Sequence, residues 1–471
     1  MYRFKSCHKN LINDNTTPVS VYLKLRALFA GALLLESSSF HAQQNNYSII
    51  CLDAIAEIIL NKDYIYYRYP DKCEEKISLT DKKKNICEIL ENLMKQFYSE
   101  NKFLYFSGFY GYVSYHSLPY FENINLRAPS HNSSQIPKIR LALFRTLILF
   151  NHFNNILCIY THIFSNNENS LDSSILRIIN LIFNKKIIHL PFITIKRLSS
   201  NLTDNGYKKS VCKSIRACKL GYVFQIVPSR QYQQKFKGDE FNVYRILRSI
   251  NPSPNLFYFD YGDYKIFGSS PEYQFTIKNS TSYIYPIAGT ILRSGDDLKD
   301  KILAEELSKN TKENAEHVML VDLARNDLSR NSSYIKVERY KEIQYFSHVL
   351  HLESKVSGKL PRHYSPVKVF ADAFPTGTLT GAPKYKAIEL IDEFENQSRG
   401  VYGGSIGFFG LDGQINTSII IRAFLSKGNT LFMQAGAGVV ADSTEENELQ
   451  EVNNKLKALN QSILAAEKYF I

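Results

Sequence analysis

Three turn signals, Tyr261-Gly262-Asp263, Asn279-Ser280 and Asp412-Gly413, each separate two runs rich in aromatic and β-branched residues. Strands joined by so few residues must run antiparallel, because a parallel connection needs a crossover of a dozen residues or more. Helical patterns interrupt the strands. One covers residues 300–324. Another begins at Ser443, where Ser443 and Glu446 form a capping box, and carries Val452, Leu456 and Leu459 on one face. A third pattern over 207–220 ends at Gly221 and is followed by a short strand, Val223 to Val227. The fold class is therefore α+β rather than a doubly wound parallel sheet. At 471 residues the chain exceeds the usual size of a single core. A polar cluster from Ser199 to Gly206 marks a boundary between residues 1–200 and 201–467, and a second cluster, Ser165 to Ser174, marks a loop.

The net charge of +12 invites a polyanion as partner. Its distribution argues against nucleic acid. The lysine runs Lys82-Lys83-Lys84, Lys185-Lys186 and Lys208-Lys209 are short, and no nucleic-acid-binding signature accompanies them. Seven cysteines, none in a Cys-x-x-Cys pair, fit reduced thiols in a cytoplasmic protein. Residues 139–164 are apolar but broken by Arg140, Arg145, His152 and three asparagines, so no spanning helix and no membrane association is expected.

Glu313 and Glu316 lie three apart on the first helix, and Glu448 and Glu451 three apart on the last, so each pair shares a helix face. A single such pair is ordinarily a solvated face. Two pairs, each beside an apolar segment, also fit a hard cation such as Mg²⁺, which takes a few carboxylates plus water and substrate oxygens. Gln434-Ala435-Gly436-Ala437-Gly438 ends a strand with residues small enough to bare backbone amides to an anion, although close packing would select the same residues. Arg422 is the only charge in the apolar run Thr417–Leu425, and a guanidinium there suits a carboxylate. Tyr402, followed by Gly403-Gly404, offers a phenol beside exposed backbone.

Pro286-Ile287-Ala288-Gly289-Thr290, the run from Glu316 to Asp327, Gly377-Thr378-Leu379-Thr380-Gly381-Ala382-Pro383-Lys384, Tyr402-Gly403-Gly404 and Gln434 to Gly438 resemble, in order, the signature blocks of the chorismate-utilising enzymes. That family includes anthranilate synthase component I, aminodeoxychorismate synthase component I, and the isochorismate and salicylate synthases. The resemblance covers about residues 207–463 and implies an antiparallel β-sandwich core wrapped by helices. It implies Glu316 and Glu451 as direct Mg²⁺ ligands, with Glu313 and Glu448 holding metal-bound water. Gly436, Ala437 and Gly438 would bind substrate through their amides, Gly289 and Thr290 would line the pocket, and Tyr402 with Arg422 would hold the enolpyruvyl carboxylate. Glu272 matches the carboxylate that protonates the departing ring hydroxyl, and such an acid needs a raised pKa. His351 matches a histidine that serves the later pyruvate elimination. Thr378 and Gln225 join them as active-site positions.

Two positions point to one member of the family. Aminodeoxychorismate-forming enzymes carry a nucleophilic lysine where this chain has Ala288, and isochorismate and salicylate synthases carry a water-activating lysine where it has Gln225. Ammonia is left as the nucleophile, giving anthranilate and pyruvate from chorismate, the entry to tryptophan synthesis. Aminodeoxychorismate synthase, or a non-catalytic regulatory partner of the glutaminase, are the alternatives. Leu34-Leu35-Glu36-Ser37 and Asn251-Pro252-Ser253-Pro254-Asn255 resemble segments of an allosteric tryptophan site, so Glu36, Ser37, Pro254, Asn255 and Leu256 are expected to bind tryptophan as inhibitor. Asn255 stands where relatives carry an aromatic residue. Ile291 and Tyr222 depart from the family pattern and are expected to alter loop packing only. No glutamine-amidotransferase block occurs, so a separate glutaminase subunit, the family's component II, is expected to supply ammonia.

Overall fold

Two long strands, Tyr47–Leu60 and Ile139–Asn151, pair antiparallel along their lengths and divide between two sheets. This computed structural model describes residues 1–37, 46–79, 85–99, 106–127, 135–164, 171–345 and 349–470. The Lys82–Lys84 run, residues 165–170 of the expected loop and the side chain of Thr290 lie outside the described residues. A register shift between Ala54 and Ala56 bends the first long strand, the usual effect of an unpaired extra residue. Residues 49–51 continue through Leu33–Glu36, Asn255–Asp260, Tyr264–Ser270, Ala423–Lys427, Thr430–Gly436, Ser229–Gly238 and Phe192–Ser200. From residues 139–143 the second sheet runs through Gly108–Val113, Ser405–Gly410, Ile415–Ile419, Tyr273–Lys278, Thr281–Ile284 and Val349–Lys359. The last of these also pairs with Ile287–Leu292 and Ser333–Tyr345. Strands from before and after residue 200 thus lie side by side within both sheets.

Side-chain alternation assigns the layers. Phe257 and Phe259 join Tyr110, Phe144 and Ile406 in a cluster that draws on both sheets, while Tyr258 between them faces the other way. That outer face is covered by Tyr207 and Val211 of the helix Asp204–Lys219, by Tyr244 and Leu247 of Phe241–Ile250, and by Val452, Leu456 and Leu459 of Glu445–Tyr469. On the second sheet, Phe275, Ile277 and Phe409 lie under Val321 and Leu328 of Thr311–Ser329 and Phe370 of Pro366–Ala373. The architecture is an antiparallel sandwich with helices on both outer faces, an α+β fold as the turn pattern requires. All three turns form: Gly262 and Gly413 take positive φ, and Asn279 and Ser280 have φ 50 and 55, the geometry that suits the twist of a tight hairpin.

Four local expectations are corrected. The helix expected over 300–324 is two helices, Asp297–Lys309 and Thr311–Ser329. Asn310 between them is extended (ψ 112), and its side chain accepts from the Glu313 amide, so it ends one helix and caps the next. The last helix starts one residue later than expected: Thr444 is its cap, and Ser443 Oγ instead accepts from Val440 N at 3.0 Å. Of Val223–Val227 only Gln225–Ile226 forms a strand, paired with Gly381–Ala382, and Phe224 is exposed. Arg422 does not sit in a strand. The chain breaks between Ile415–Ile419 and Ala423–Lys427, and Arg422 takes the left-handed conformation, φ 48.

Candidate active site

Glu272 follows Tyr264–Ser270 and begins the next strand one residue later, with its carbonyl held by Ile419 N at 3.1 Å. Its side chain is 9% exposed and accepts a hydrogen bond from Thr378 Oγ1 at 2.9 Å. Burial pushes its pKa up to about 7, against the opposing pull of the Thr378 hydrogen bond and the charges of Lys455 and Arg422. A carboxylic acid that keeps its proton near neutral pH is the form a general acid requires.

Arg422 is presented from the chain break described above. Its carbonyl accepts from Ser269 N, and the adjoining Ile420 is stitched to the Tyr402–Gly404 turn by Ile420 N to Gly404 O at 2.8 Å and Gly403 N to Ile420 O at 3.1 Å. Burial lowers the Arg422 pKa while nearby Glu272 raises it. The guanidinium thus stands buried beside Glu272, and its planar fork suits a carboxylate. Tyr402 is buried beside Leu379 and Ile419, with the Arg399 guanidinium 5.6 Å from its ring centre and its hydroxyl at the Gly436 amide.

Gly436 ends the strand Thr430–Gly436, and Ala437 contacts the Tyr207 hydroxyl through its backbone amide. The charges of Glu448 and Glu451 act on that same hydroxyl, which places the two glutamates of the last helix at this strand end. Lys455, one turn beyond Glu451, donates to Glu451 Oε1 at 2.6 Å and to the Gly436 carbonyl at 2.8 Å. Sequence reasoning missed Lys455. Its spacing of four from Glu451 is the signal that pointed to it.

On the opposite side, the strand pair Ile287–Leu292 and Val349–Lys359 slips register between Ala288 and Thr290. Gly289 takes φ +64 there, and its carbonyl accepts from His351 Nδ1 at 2.9 Å. A carbonyl only accepts, so Nδ1 carries the proton and Nε2 is the basic nitrogen. Burial lowers the His351 pKa to about 4, so the ring is neutral at pH 7. A Cβ at Gly289 would lie 2.8 Å from Leu307 Cδ1 and 3.3 Å from Glu313 Oε2, which puts Glu313 beside this turn. Thr290 is placed only as the strand position opposite His351.

Gln225 reaches the same strand end from its own two-residue strand. Its Nε2 would lie 2.5 Å from a Cβ at Gly438, so a larger residue at 438 would push the Gln225 amide aside. Ile226 pairs with Val439, which fixes the two chains side by side.

The chain thus brings together Glu272, Thr378, Arg422, Tyr402, Gly436, Ala437, Glu448, Glu451 and Lys455, with Gln225 at Gly438 and with His351, Gly289 and Glu313. Among the described residues no three Asp, Glu, His or Cys side chains are gathered in metal-coordinating geometry, and Glu451 is held by Lys455. The donors themselves, carboxylate oxygens from two helices, fit a hard divalent cation in kind.

Glu36, Ser37, Pro254, Asn255 and Leu256 lie elsewhere, in the wall of a cavity of about 310 Å³ that Tyr47, Phe106, Lys278, Gln414 and Asn416 also line. The Glu36 carboxylate accepts from Tyr244 OH at 2.6 Å and Arg248 Nε at 3.0 Å. Tyr273, next to Glu272, and its strand partner Ser418 form another part of the wall.

All seven cysteines are unpaired, and among the described residues no helix is long and apolar enough to cross a membrane.

The family model described as chorismate binding enzyme matches residues 56–461. Anthranilate synthase component 1 of Aquifex aeolicus (strain VF5) is 33% identical, over 99% of this chain and 96% of that relative. Aminodeoxychorismate synthase component 1 of Bacillus subtilis (strain 168) is 34% identical over 77% of this chain and 78% of its own length. The crystal structure of anthranilate synthase component I from Streptococcus pneumoniae TIGR4 superposes with a TM-score of 0.75 at 28% identity, covering 95% of this chain and 98% of that one.

Proposed function

The chain belongs to the chorismate binding enzymes, and within that family we propose that it is the large subunit of an anthranilate synthase, a lyase that turns chorismate and ammonia into anthranilate and pyruvate. The observation that carries the choice of nucleophile is the state of the amines at the site. Ala288 and Gln225 offer none. Lys455, whose charge reaches Glu272, is engaged between Glu451 Oε1 and the Gly436 carbonyl and so is turned away from a ring. The nucleophile must therefore be brought in.

Chorismate carries two carboxylates. Arg422 with Tyr402 receives the enolpyruvyl carboxylate, and the amides of Gly436, Ala437 and Gly438 bind the substrate, those of Gly436 and Ala437 turning to it from the Tyr402 and Tyr207 hydroxyls. Glu272 gives its proton to the C4 hydroxyl, which leaves as water while ammonia adds at C2. Thr378 keeps the carboxyl aimed during that step. Neutral His351 then accepts a proton through Nε2 in the elimination of pyruvate. Glu316 and Glu451 would hold Mg²⁺ directly and Glu313 and Glu448 through water, and the ion would supply positive charge to the ring carboxylate.

A glutaminase subunit is proposed as the ammonia source, and the cytoplasm as the compartment in which seven free thiols persist. Tryptophan is proposed as a feedback inhibitor in the cavity at Glu36. Support comes from the convergence of all five expected residues on one cavity with aromatic walls and polar groups from Lys278, Gln414 and Asn416.

The full chain with chorismate, Mg²⁺ and ammonium salt tests the reaction. Fluorescent anthranilate is expected; a product that retains the enolpyruvyl group would assign the chain to the aminodeoxychorismate branch, and no turnover at all would leave a regulatory partner.

A further inference from the structure

Behind Glu272, on the side of the helix Thr311–Ser329, lies a cavity of about 20 Å³ lined by Glu272, Gln274, Asp327, Thr376 and Thr378 together with apolar groups of Leu320, Leu323 and Ala324. That volume exceeds the roughly 10–15 Å³ one water needs. Gln274 is 3% exposed; its Oε1 accepts from Ser405 Oγ at 3.1 Å and Thr417 Oγ1 at 2.9 Å, and its Nε2 has no hydrogen-bond partner among the described residues. A buried donor left in this way calls for a bound solvent molecule. A line of hydroxyls joins the cavity to the general acid. Thr376 Oγ1 lies 3.1 Å from Thr378 Oγ1, which donates to Glu272 Oε1 at 2.9 Å. Because the Thr378 proton is committed to Glu272, Thr376 must be the donor between the two hydroxyls, and its own oxygen is then left to accept.

We propose that this cavity holds a water molecule that returns a proton to Glu272 through Thr376 and Thr378 after each turnover. The inference rests on the reaction proposed above. Glu272 loses its proton to the departing hydroxyl, which leaves as water on the substrate side. Glu272 Oε1 then takes the Thr378 hydroxyl proton as Thr378 takes that of Thr376, and Thr376 takes one from the cavity water. The water regains its proton from solvent past Asp327, whose side chain is about one-tenth exposed and is anchored by Lys384 Nζ at 2.7 Å. Conversion of chorismate and ammonia to anthranilate, pyruvate and water releases no net proton, so the proton shed by the added ammonia balances the one Glu272 recovers. Thr376 touches no substrate and acts through Thr378 as a positioning residue.

Thr376→Val keeps the shape of the side chain and removes the relay. Rapid mixing of the full chain with chorismate, Mg²⁺ and ammonium salt separates the first turnover, which uses the proton already on Glu272, from later ones. In T376V the first turnover is expected within about twofold of the wild type, followed by a steady rate about tenfold or more slower. That slow phase should carry an increased solvent deuterium isotope effect, and T376S should restore the steady rate. A steady rate in T376V equal to that of the wild type, or an equal slowing of the first and later turnovers, would overturn the relay. Absence of anthranilate from the wild type itself would instead overturn the proposed reaction.

Discussion

Thr378 Oγ1 donates to Glu272 Oε1 at 2.9 Å, yet the pKa of that carboxyl stands near 7. A hydrogen bond to the carboxylate favours ionisation, and so do Lys455 and Arg422; burial outweighs all three. The site therefore keeps a proton in the midst of two cations. Such a balance requires burial, and the sandwich supplies it: Phe275 and Ile419, on the strands beside Glu272, are fully buried.

This balance sets the pH dependence. The protonated acid is the working form, so kcat/KM for chorismate, measured at a constant concentration of unprotonated ammonia, should be level below about pH 7 and fall above it. Because the Thr378 hydrogen bond lowers the pKa, Thr378→Val should shift the falling limb to higher pH. Glu272→Gln should cost roughly 10²- to 10⁴-fold in rate and abolish the limb. A limb that stays in place in T378V would mean that another group titrates.

The same shift predicts a stability effect. The folded-state pKa of Glu272 is raised from 4.5 to about 7, so the folded chain binds the extra proton and its contribution to stability is fully present below the unfolded pKa. It is lost as pH rises through about 7. At 1.36 kcal/mol per unit the whole change is roughly 3 kcal/mol at most. Urea unfolding should show that E272Q gains stability relative to the wild type between pH 5 and pH 8; a constant difference would contradict the buried, protonated acid.

Arg422 stands out in the sequence by its charge, but its conformation does not show there. Its charge in an apolar run signalled an anion, but nothing in Ile419-Ile420-Ile421-Arg422 announces a break with φ 48, because the break is imposed by distant partners, Gly403, Gly404 and Ser269. The same holds for Asn310, which reads as a tolerable helix residue until its extended backbone splits the helix in two. Periodicity predicts an element where local contacts decide it, as at Asn279-Ser280 or Val452, Leu456 and Leu459, and fails where tertiary contacts do. Gly436 to Gly438 stand out in the sequence as small residues ending a strand, whereas Glu272 is picked out only by the family resemblance. The proton on Glu272 was expected from its chemistry, while its causes, burial first, needed the fold.

Arg422 also yields a prediction on binding. A charged hydrogen-bonding pair in a pocket is worth about 1.5–3 kcal/mol, a factor of roughly 10 to 150. Arg422→Gln should therefore lower kcat/KM for chorismate by about that factor, mainly through KM. It should also raise the pKa of Glu272, since the arginine's charge lowers it. An unchanged KM would remove Arg422 from substrate recognition.

The cavity at Glu36 shares Tyr273 and Ser418 with the strands that carry Glu272. Tyr273 follows Glu272 directly, and the Glu272 carbonyl is tied to Ile419, the neighbour of Ser418. A ligand that spreads these two strands would move the general acid. Tryptophan is expected to raise the Tm of the wild type and inhibit it, whereas Ser37→Phe, which fills part of the cavity, should lose both effects and keep ammonia-dependent turnover. Inhibition that survives in S37F would place the inhibitor elsewhere.

Gly289 lies between the helix Thr311–Ser329 and His351 and permits the last test. A side chain there meets two separate obstacles: φ +64, which L-residues rarely adopt, and contacts at 2.8 Å with Leu307 Cδ1 and 3.3 Å with Glu313 Oε2. Gly289→Ala should destabilise the fold by about 1–3 kcal/mol, lowering Tm. Displacing Glu313 should also raise the Mg²⁺ concentration needed for half-maximal turnover. Leu307→Val in the same chain removes the nearest carbon and should recover part of the Tm. It leaves the Glu313 contact in place, so the Mg²⁺ requirement should stay raised. Recovery of both together would show that Glu313 acts only through packing, and would withdraw it from the metal site.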